Sequence, residues 1–349
     1  MSLTIQIEPR TLHFKFPAGT SRGVYHERRI WLLHFSDSTR PAFHGIGECA
    51  PLFDLSPDYD EAYEARLREV CREVERMGRI DFESLRKFPS ILFGLETAFL
   101  QAEAKGAYAL FDTPFSKGKV GLPINGLIWM GNREEMRRRL TEKIRQNFRC
   151  IKIKIGAIDF NDELELLARV RAYYNTECIT LRVDANGAFS AEDALEKLQA
   201  LVPYNLHSIE QPIRAGQWAE MARLCRESPV PIALDEELIG VYSLADKVAL
   251  LETIRPAYLV LKPTLHGGFQ GCEEWIGLAS ERGIGWWITS ALESNVGLNA
   301  IAQWTAYQLQ RSVKSSQTMF QGLGTGQLFT DNIPVSQLQM RGDELWFIP

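Results

Sequence analysis

The stretch Arg149-Cys150-Ile151-Lys152-Ile153-Lys154-Ile155-Gly156 alternates branched apolar residues with two lysines and stops at a glycine. Read as a strand, its period of two puts Ile151, Ile153 and Ile155 on one face and both lysines on the other. Lysine is disfavoured inside strands and is rarely buried without a partner. The segment is therefore either an edge strand with a solvated basic face or a barrel strand that points two amines into a site. Anionic partners elsewhere in the chain decide between the two.

The same texture repeats on both sides of it. Strand-like segments fall at 123–129, 150–155, 179–184, 207–210, 231–235, 257–262, 285–290 and 319–324. Helical patterns separate them. Asn132 with Glu135 has the capping-box spacing for a helix to about Phe148. Others are expected over 160–174, from Ser190 onward, and over 216–227, 243–252, 269–282 and 295–310. Eight strand signals with seven helices between them predict an α/β fold, a (β/α)-barrel of modified TIM type, over 119–326. Ahead of it, 3–16 and 28–50 read as β-rich, joined by the small-residue loop 17–23. Ser56-Pro57-Asp58 is expected to open an amphipathic helix that ends near Gly78, and further helices follow over 81–87 and 90–110. Residues 1–118 then form an α+β capping domain. A last β signal, Glu344 to Ile348, is expected to bring 327–349 back to that domain.

Composition narrows the functional classes. Of the 349 residues 45% are apolar and 24% charged, which suits an ordinary globular protein. A net charge of -5 gives no general attraction to nucleic acid or anionic membranes. The basic runs 66–79 and 133–145 are interleaved with glutamates at helical spacing and read as solvated helix faces. The six cysteines have no metal-ligand or CxxC spacing, and the six histidines no HExxH pattern. No apolar run reaches the roughly 18 residues of a membrane span, and the start of the chain lacks a signal-peptide pattern. A cytoplasmic protein acting on a small molecule, with no nucleic-acid or membrane partner, is expected.

The polar residues that end the middle strands carry the chemistry. They are Lys152 and Lys154, then Asp184, Glu210, Asp235, Lys262 and Ser290, with steps of 30, 26, 25, 27 and 28 residues from Lys154 onward. Each step is one βα unit, so all of them reach the C-terminal mouth, where barrel enzymes build their sites. Three carboxylates on consecutive strands cannot all stay ionised side by side without a cation. Oxygen-only ligation selects a hard ion such as Mg²⁺ or Mn²⁺. Lys152 and Lys154 lie roughly 6.5–7 Å apart along one strand face. Their mutual repulsion, with a dication nearby, is expected to push one amine towards neutrality. Lys262 comes from the far side of the acids in strand order, so one amine can take a proton while the other stabilises the resulting anion.

These residues also carry a resemblance. Lys152-x-Lys154, Asp184-x-Asn186, Glu210-Gln211-Pro212, Asp235-Glu236 and Leu261-Lys262-Pro263 resemble the enolase superfamily in its muconate-lactonizing subgroup. Lysine bases acting with Mg²⁺ on an ene-diolate are the known chemistry of that superfamily. Gly47-Glu48-Cys49-Ala50-Pro51-Leu52, Val260 to Thr264 and Gly322-Leu323-Gly324-Thr325 are most similar to the o-succinylbenzoate synthase family of menaquinone biosynthesis. The resemblance implies a lyase that catalyses syn-dehydration of a succinylated hydroxycyclohexadiene carboxylate. It implies Asp184, Glu210 and Asp235 as metal ligands and Lys154 as the base that later protonates the leaving hydroxyl. Lys262 then stabilises the enediolate, and Lys152 tunes Lys154 and meets the substrate carboxylate. Ser290 and Gly322 match positions near the succinyl tail, and loop 17–23 matches a lid. Asn186 and Glu236 lie just beyond the ligands, where they either cap helices or support the ligands. Gly324 stands where the family often has an acid, and Gly322–Gly326 lacks the Asp-x-Asp of dipeptide epimerases. An N-succinyl amino acid racemase, a cycloisomerase or a dipeptide epimerase would share the catalytic residues. A Schiff-base lysine aldolase and a non-catalytic carboxylate-binding barrel are the readings of other classes.

Overall fold

The computed structural model describes residues 2–20, 23–312, 319–334 and 337–349. The chain opens with three antiparallel strands, β1 (Leu3–Thr20), β2 (Gly23–Asp37) and β3 (His44–Cys49). Helices α1 (Tyr63–Met77), α2 (Phe82–Leu85) and α3 (Pro89–Glu103) pack on them. Gly45 and Gly47 let β3 lie directly on α3, because a Cβ at either would collide with the carbonyl of Ala98 or Gly94. The first helix starts at Tyr63, later than the Ser56-Pro57 signal indicates. Those polar residues serve tertiary bonds instead. Ser56 Oγ accepts from Leu52 N (2.8 Å), and the buried Asp58 carboxylate accepts from Ser90 N (2.9 Å) and Ser90 Oγ (2.6 Å).

The barrel follows as β4 (Leu122–Pro123), β5 (Gly126–Ile128), α4 (Arg133–Arg145), β6 (Cys150–Lys154), α5 (Phe160–Tyr173), β7 (Thr180–Asp184) and α6 (Ala194–Ala200). It continues as β8 (Ser208–Glu210), α7 (Trp218–Glu227), β9 (Ile232–Leu234), α8 (Leu244–Ile254), β10 (Tyr258–Leu261), α9 (Gly268–Glu281), β11 (Gly285–Ile288) and α10 (Asn295–Arg311). The chain ends in β12 (Leu338–Arg341) and β13 (Glu344–Phe347). Strands β5 to β11 form one parallel sheet in chain order, and every residue of β6 is buried. Ile151, Ile153 and Ile155 pack into the main apolar core together with Leu166, Leu167 and Val170 of α5. The lysine face of β6 therefore lines the barrel interior.

The eighth stave is the departure from the expected eight strands. Segment 319–324 carries only two isolated parallel bridges, Ile124 to Gln321 and Thr289 to Gly322. Gly322 lets the segment press against the end of β11, because a Cβ there would collide with Thr289 Oγ1. Backbone bonds still close the barrel on both sides, from Asn125 N to Gln321 O (3.0 Å) and Gln321 N to Pro123 O (2.8 Å), and from Gly322 N to Ile288 O (2.7 Å). Side chains add to them. Gln321 accepts from Ile288 N (2.8 Å), and the fully buried Arg182 of β7 donates across the barrel to Phe320 O (2.8 Å). The Arg182 guanidinium also lies 3.9 Å from the Trp287 ring centre.

Past the barrel, Lys15 N donates to Leu328 O (2.8 Å) and Thr330 N to His13 O (2.9 Å), so this part of 327–349 runs beside β1. Strand β12 pairs with β13 and β13 with β4. The last β signal thus lies against the first strand of the barrel segment and not against β1–β3, where the sequence reading expects it. Two glutamates dock the first domain on the barrel. Glu48 of β3 accepts from Ser294 N and Gly297 N (both 2.8 Å) at the start of α10. Glu96 of α3 accepts from Phe269 N (2.6 Å) and Gln270 N (3.0 Å) at the start of α9. Among the described residues no helix is long and apolar enough to cross a membrane.

Candidate active site

Strand register sets the site. Lys154 stands beside Asp184, and Asp184 beside Glu210, in one row across β6, β7 and β8. Asp235 immediately follows β9 and Lys262 immediately follows β10. Asp184, Glu210 and Asp235 each offer a carboxylate oxygen, and these oxygens lie within 4.8 Å of one another.

Each lysine is paired within this ring. Lys152 donates to Asp184 Oδ2 (3.1 Å) and Glu210 Oε2 (2.9 Å). Lys154 donates to Asp184 Oδ2 (2.7 Å) and Asn186 Oδ1 (2.6 Å), and Lys262 to Asp235 Oδ2 (2.6 Å). Burial opposes the charge on Lys152, yet the pull of Glu210 and Asp184 outweighs it and raises the amine pKa. Lys262 is raised likewise, with burial outweighed by Asp235 and Glu236. Repulsion between neighbouring amines therefore does not dominate at Lys152. Burial works against ionised Asp184 too, and Lys154 and Lys152 reverse it, holding that carboxyl below its ordinary value. Glu210 goes the other way. Burial, with Asp184 and Asp235 beside it, pushes its carboxyl up to about 7 despite Lys152.

A cation fits this donor set. Glu210 Oε1 and Asp235 Oδ1 are buried and have no hydrogen-bond partner among the described residues. Two free carboxylate oxygens in an all-oxygen cluster suit a hard divalent ion.

Around the ring lies a cavity of about 520 Å³, walled on one side by Lys15, Phe16, Pro17 and Ala18 of the first domain. Contrary to the loop expected at 17–23, β1 runs on to Thr20 and pairs there with β2, so Pro17 and Ala18 reach the wall from a strand, while Ser21 and Arg22 lie outside the described residues. Ser290 and Gly322 also line the cavity. Ser290 Oγ is 2.7 Å from Thr325 Oγ1, and Gly322 O accepts from Thr289 Oγ1 (3.0 Å).

The family model for "Enolase C-terminal domain-like" proteins matches residues 135–341. The o-succinylbenzoate synthase of Desulfotalea psychrophila is 43% identical over 93% of this chain and 93% of its own. The chain belongs to the enolase superfamily. The crystal structure of MenC from Desulfotalea psychrophila covers 99% of this enolase-superfamily chain and 100% of its own, with a TM-score of 0.82 at 38% identity. A dipeptide epimerase from Cytophaga hutchinsonii, solved with Mg and a dipeptide, shares the superfamily fold at a TM-score of 0.81 and 19% identity, over 99% of this chain and 94% of its own.

Two working residues escape a reading of strand ends. Gln211, at a φ of 38°, takes Asp235 N (3.3 Å) and Glu237 N (3.2 Å) on its side-chain oxygen. It thereby ties the turn after β8 to the backbone that carries Asp235. His266 accepts from the Lys262 backbone N–H through Nδ1 (3.0 Å), which fixes its tautomer. Burial and the nearby Lys262 hold that imidazole well below its ordinary pKa. The helix-like spacing of Lys262 and His266 was the only sequence signal for this contact. Asn186 and Glu236 form one chain with Lys154, since Asn186 Nδ2 donates to Glu236 Oε1 (2.9 Å).

Proposed function

We propose that the chain is an o-succinylbenzoate synthase, converting 2-succinyl-6-hydroxy-2,4-cyclohexadiene-1-carboxylate to o-succinylbenzoate for menaquinone biosynthesis. The observation that carries this reading is the pair of enclosed amines, Lys154 and Lys262, on opposite flanks of three acids. The 43% identical relative supports the choice of substrate. Asp184, Glu210 and Asp235 would hold Mg²⁺, with Mn²⁺ as the alternative. When bound, the ion supplies Lewis-acid stabilisation of negative charge on the substrate carboxylate.

The remaining steps belong to the chain's own side chains. Lys154, as the neutral amine, takes the proton from the ring carbon that bears the carboxylate. It then returns that proton to the hydroxyl on the adjacent carbon. The C–H and C–O bonds break on the same face, water leaves and the ring becomes aromatic. Asn186, held by Glu236, orients the amine, and Lys152 keeps a positive charge beside it and meets the substrate carboxylate. Lys262 stays protonated and faces the electron-rich ring as a cation. Ser290 and the backbone at Gly322 border the succinyl tail, and the wall of Lys15 to Ala18 keeps water from the intermediate.

We assign 1–118 to the capping domain together with the part of 327–349 that runs beside β1, 119–326 to the barrel, and the enzyme to the cytoplasm. Turnover of the cyclohexadiene, compared with N-succinyl amino acids and dipeptides, tests the reading. Loss of the diene absorbance with release of the aromatic acid supports it. Activity confined to succinylated amino acids or dipeptides would replace it with the racemase or epimerase reading. A covalent lysine adduct after borohydride would replace it with the aldolase.

A further inference from the structure

Behind the two catalytic loops lies a buried polar cluster that the reaction scheme does not use. Glu293 is fully buried in the turn that follows Ser290. One carboxylate oxygen accepts from Ala291 N (2.7 Å), and the other from the hydroxyl of Thr264, which is also fully buried and lies two residues past Lys262. Next to it Glu48 holds Ser294 N and Gly297 N (both 2.8 Å). Arg28 of β2, 3% exposed, bonds Ala50 O nearby. Gly297 makes room for the arrangement, since a Cβ there would sit 2.8 Å from Glu293 Cβ and 3.0 Å from Glu48 Oε2.

A buried carboxylate is costly unless its bonds do something that an apolar residue could not. Here one carboxylate spans two loops 29 residues apart in sequence, the one carrying Lys262 and the one carrying Ser290. We propose that Glu293 is a positioning residue: it braces the Lys262 loop against the Ser290 loop, next to the point where Glu48 seats the start of α10 on the capping domain. The inference rests on the assignment of Lys262 to the reaction. Loss of the brace lets the Lys262 amine wander from the ring, so it costs rate more than substrate affinity.

The experiment compares Glu293→Gln, Glu293→Ala and Thr264→Val with the wild type, all loaded with Mg²⁺, by steady-state kinetics on the cyclohexadiene and by thermal melting. Thr264→Val keeps side-chain shape and so remains informative if Glu293→Ala fails to fold. We expect kcat to fall about 10- to 100-fold in Thr264→Val and Glu293→Ala, with KM within about 3-fold. Glu293→Gln, which keeps an acceptor, should recover most of the rate. The double variant should be no worse than Glu293→Ala alone. Lower melting temperatures with an unchanged kcat per folded molecule would overturn the positioning role. A wild type that does not turn over the cyclohexadiene would instead overturn the assigned reaction.

Discussion

The two lysine flanks of the ring are built differently. On the β6 side, Lys152 and Lys154 come from within a strand and are held by the acids beside them, with Asp184 accepting from both amines. On the β10 side, Lys262 sits just past the strand end and its amine donates to Asp235, while His266 fixes its backbone N–H. The first flank is set by sheet register and the second by loops braced against neighbours. Register pins every side chain of a strand at once. A loop has to be held bond by bond.

Removing the cation strikes both flanks and has the largest expected effect. Chelation should take turnover below detection and added Mg²⁺ should restore it, followed by the rise of aromatic absorbance. Activity that survives exhaustive chelation would show that the acids serve only the lysines. Lys152→Ala is next. It should cost about 100-fold in kcat/KM, because Lys154 loses the charge beside it and Asp184 and Glu210 lose a shared partner. Asn186→Ala removes one of two acceptors from Lys154 and should lower kcat about 10-fold with metal affinity kept. A larger loss than in Lys152→Ala would reverse the ranking of the two supports.

The smallest effect concerns the docking of the domains. Burial raises Glu96 to about 8 against the bonds from Gln270 N and Phe269 N. Its proton is thus held in the folded protein at a pH where the unfolded chain has already released it. Stability from this group is full at pH below about 4.5 and is lost as pH rises towards 8. The melting temperature of the wild type should therefore fall relative to Glu96→Gln between pH 5 and 8. Parallel curves would place the Glu96 carboxyl in the ordinary range.

The ring was legible in the sequence because Lys154, Asp184, Glu210, Asp235 and Lys262 recur once per βα unit. Alternation along 150–155 likewise told the lysine face from the isoleucine face. Segment 319–324 read as a strand because its composition fits one. That it forms only two bridges, and lies close enough at Thr289 to need Gly322, depends on contacts between distant parts of the chain. The same holds for Glu48 on Ser294 and Glu96 on Phe269, pairings 246 and 173 residues apart that no local pattern announces. Ser56-Pro57 failed as a helix start because Asp58 is drawn to Ser90, 32 residues on, and tertiary bonding overrode local preference.

The claim that two amines divide the work is tested most directly by the rate of o-succinylbenzoate formation in Lys154→Ala and Lys262→Ala, each loaded with Mg²⁺ and with its metal affinity measured alongside. Both variants should bind the metal as the wild type does and lose at least about 1,000-fold in kcat. A near-normal rate in either one, with the metal bound, would contradict the account.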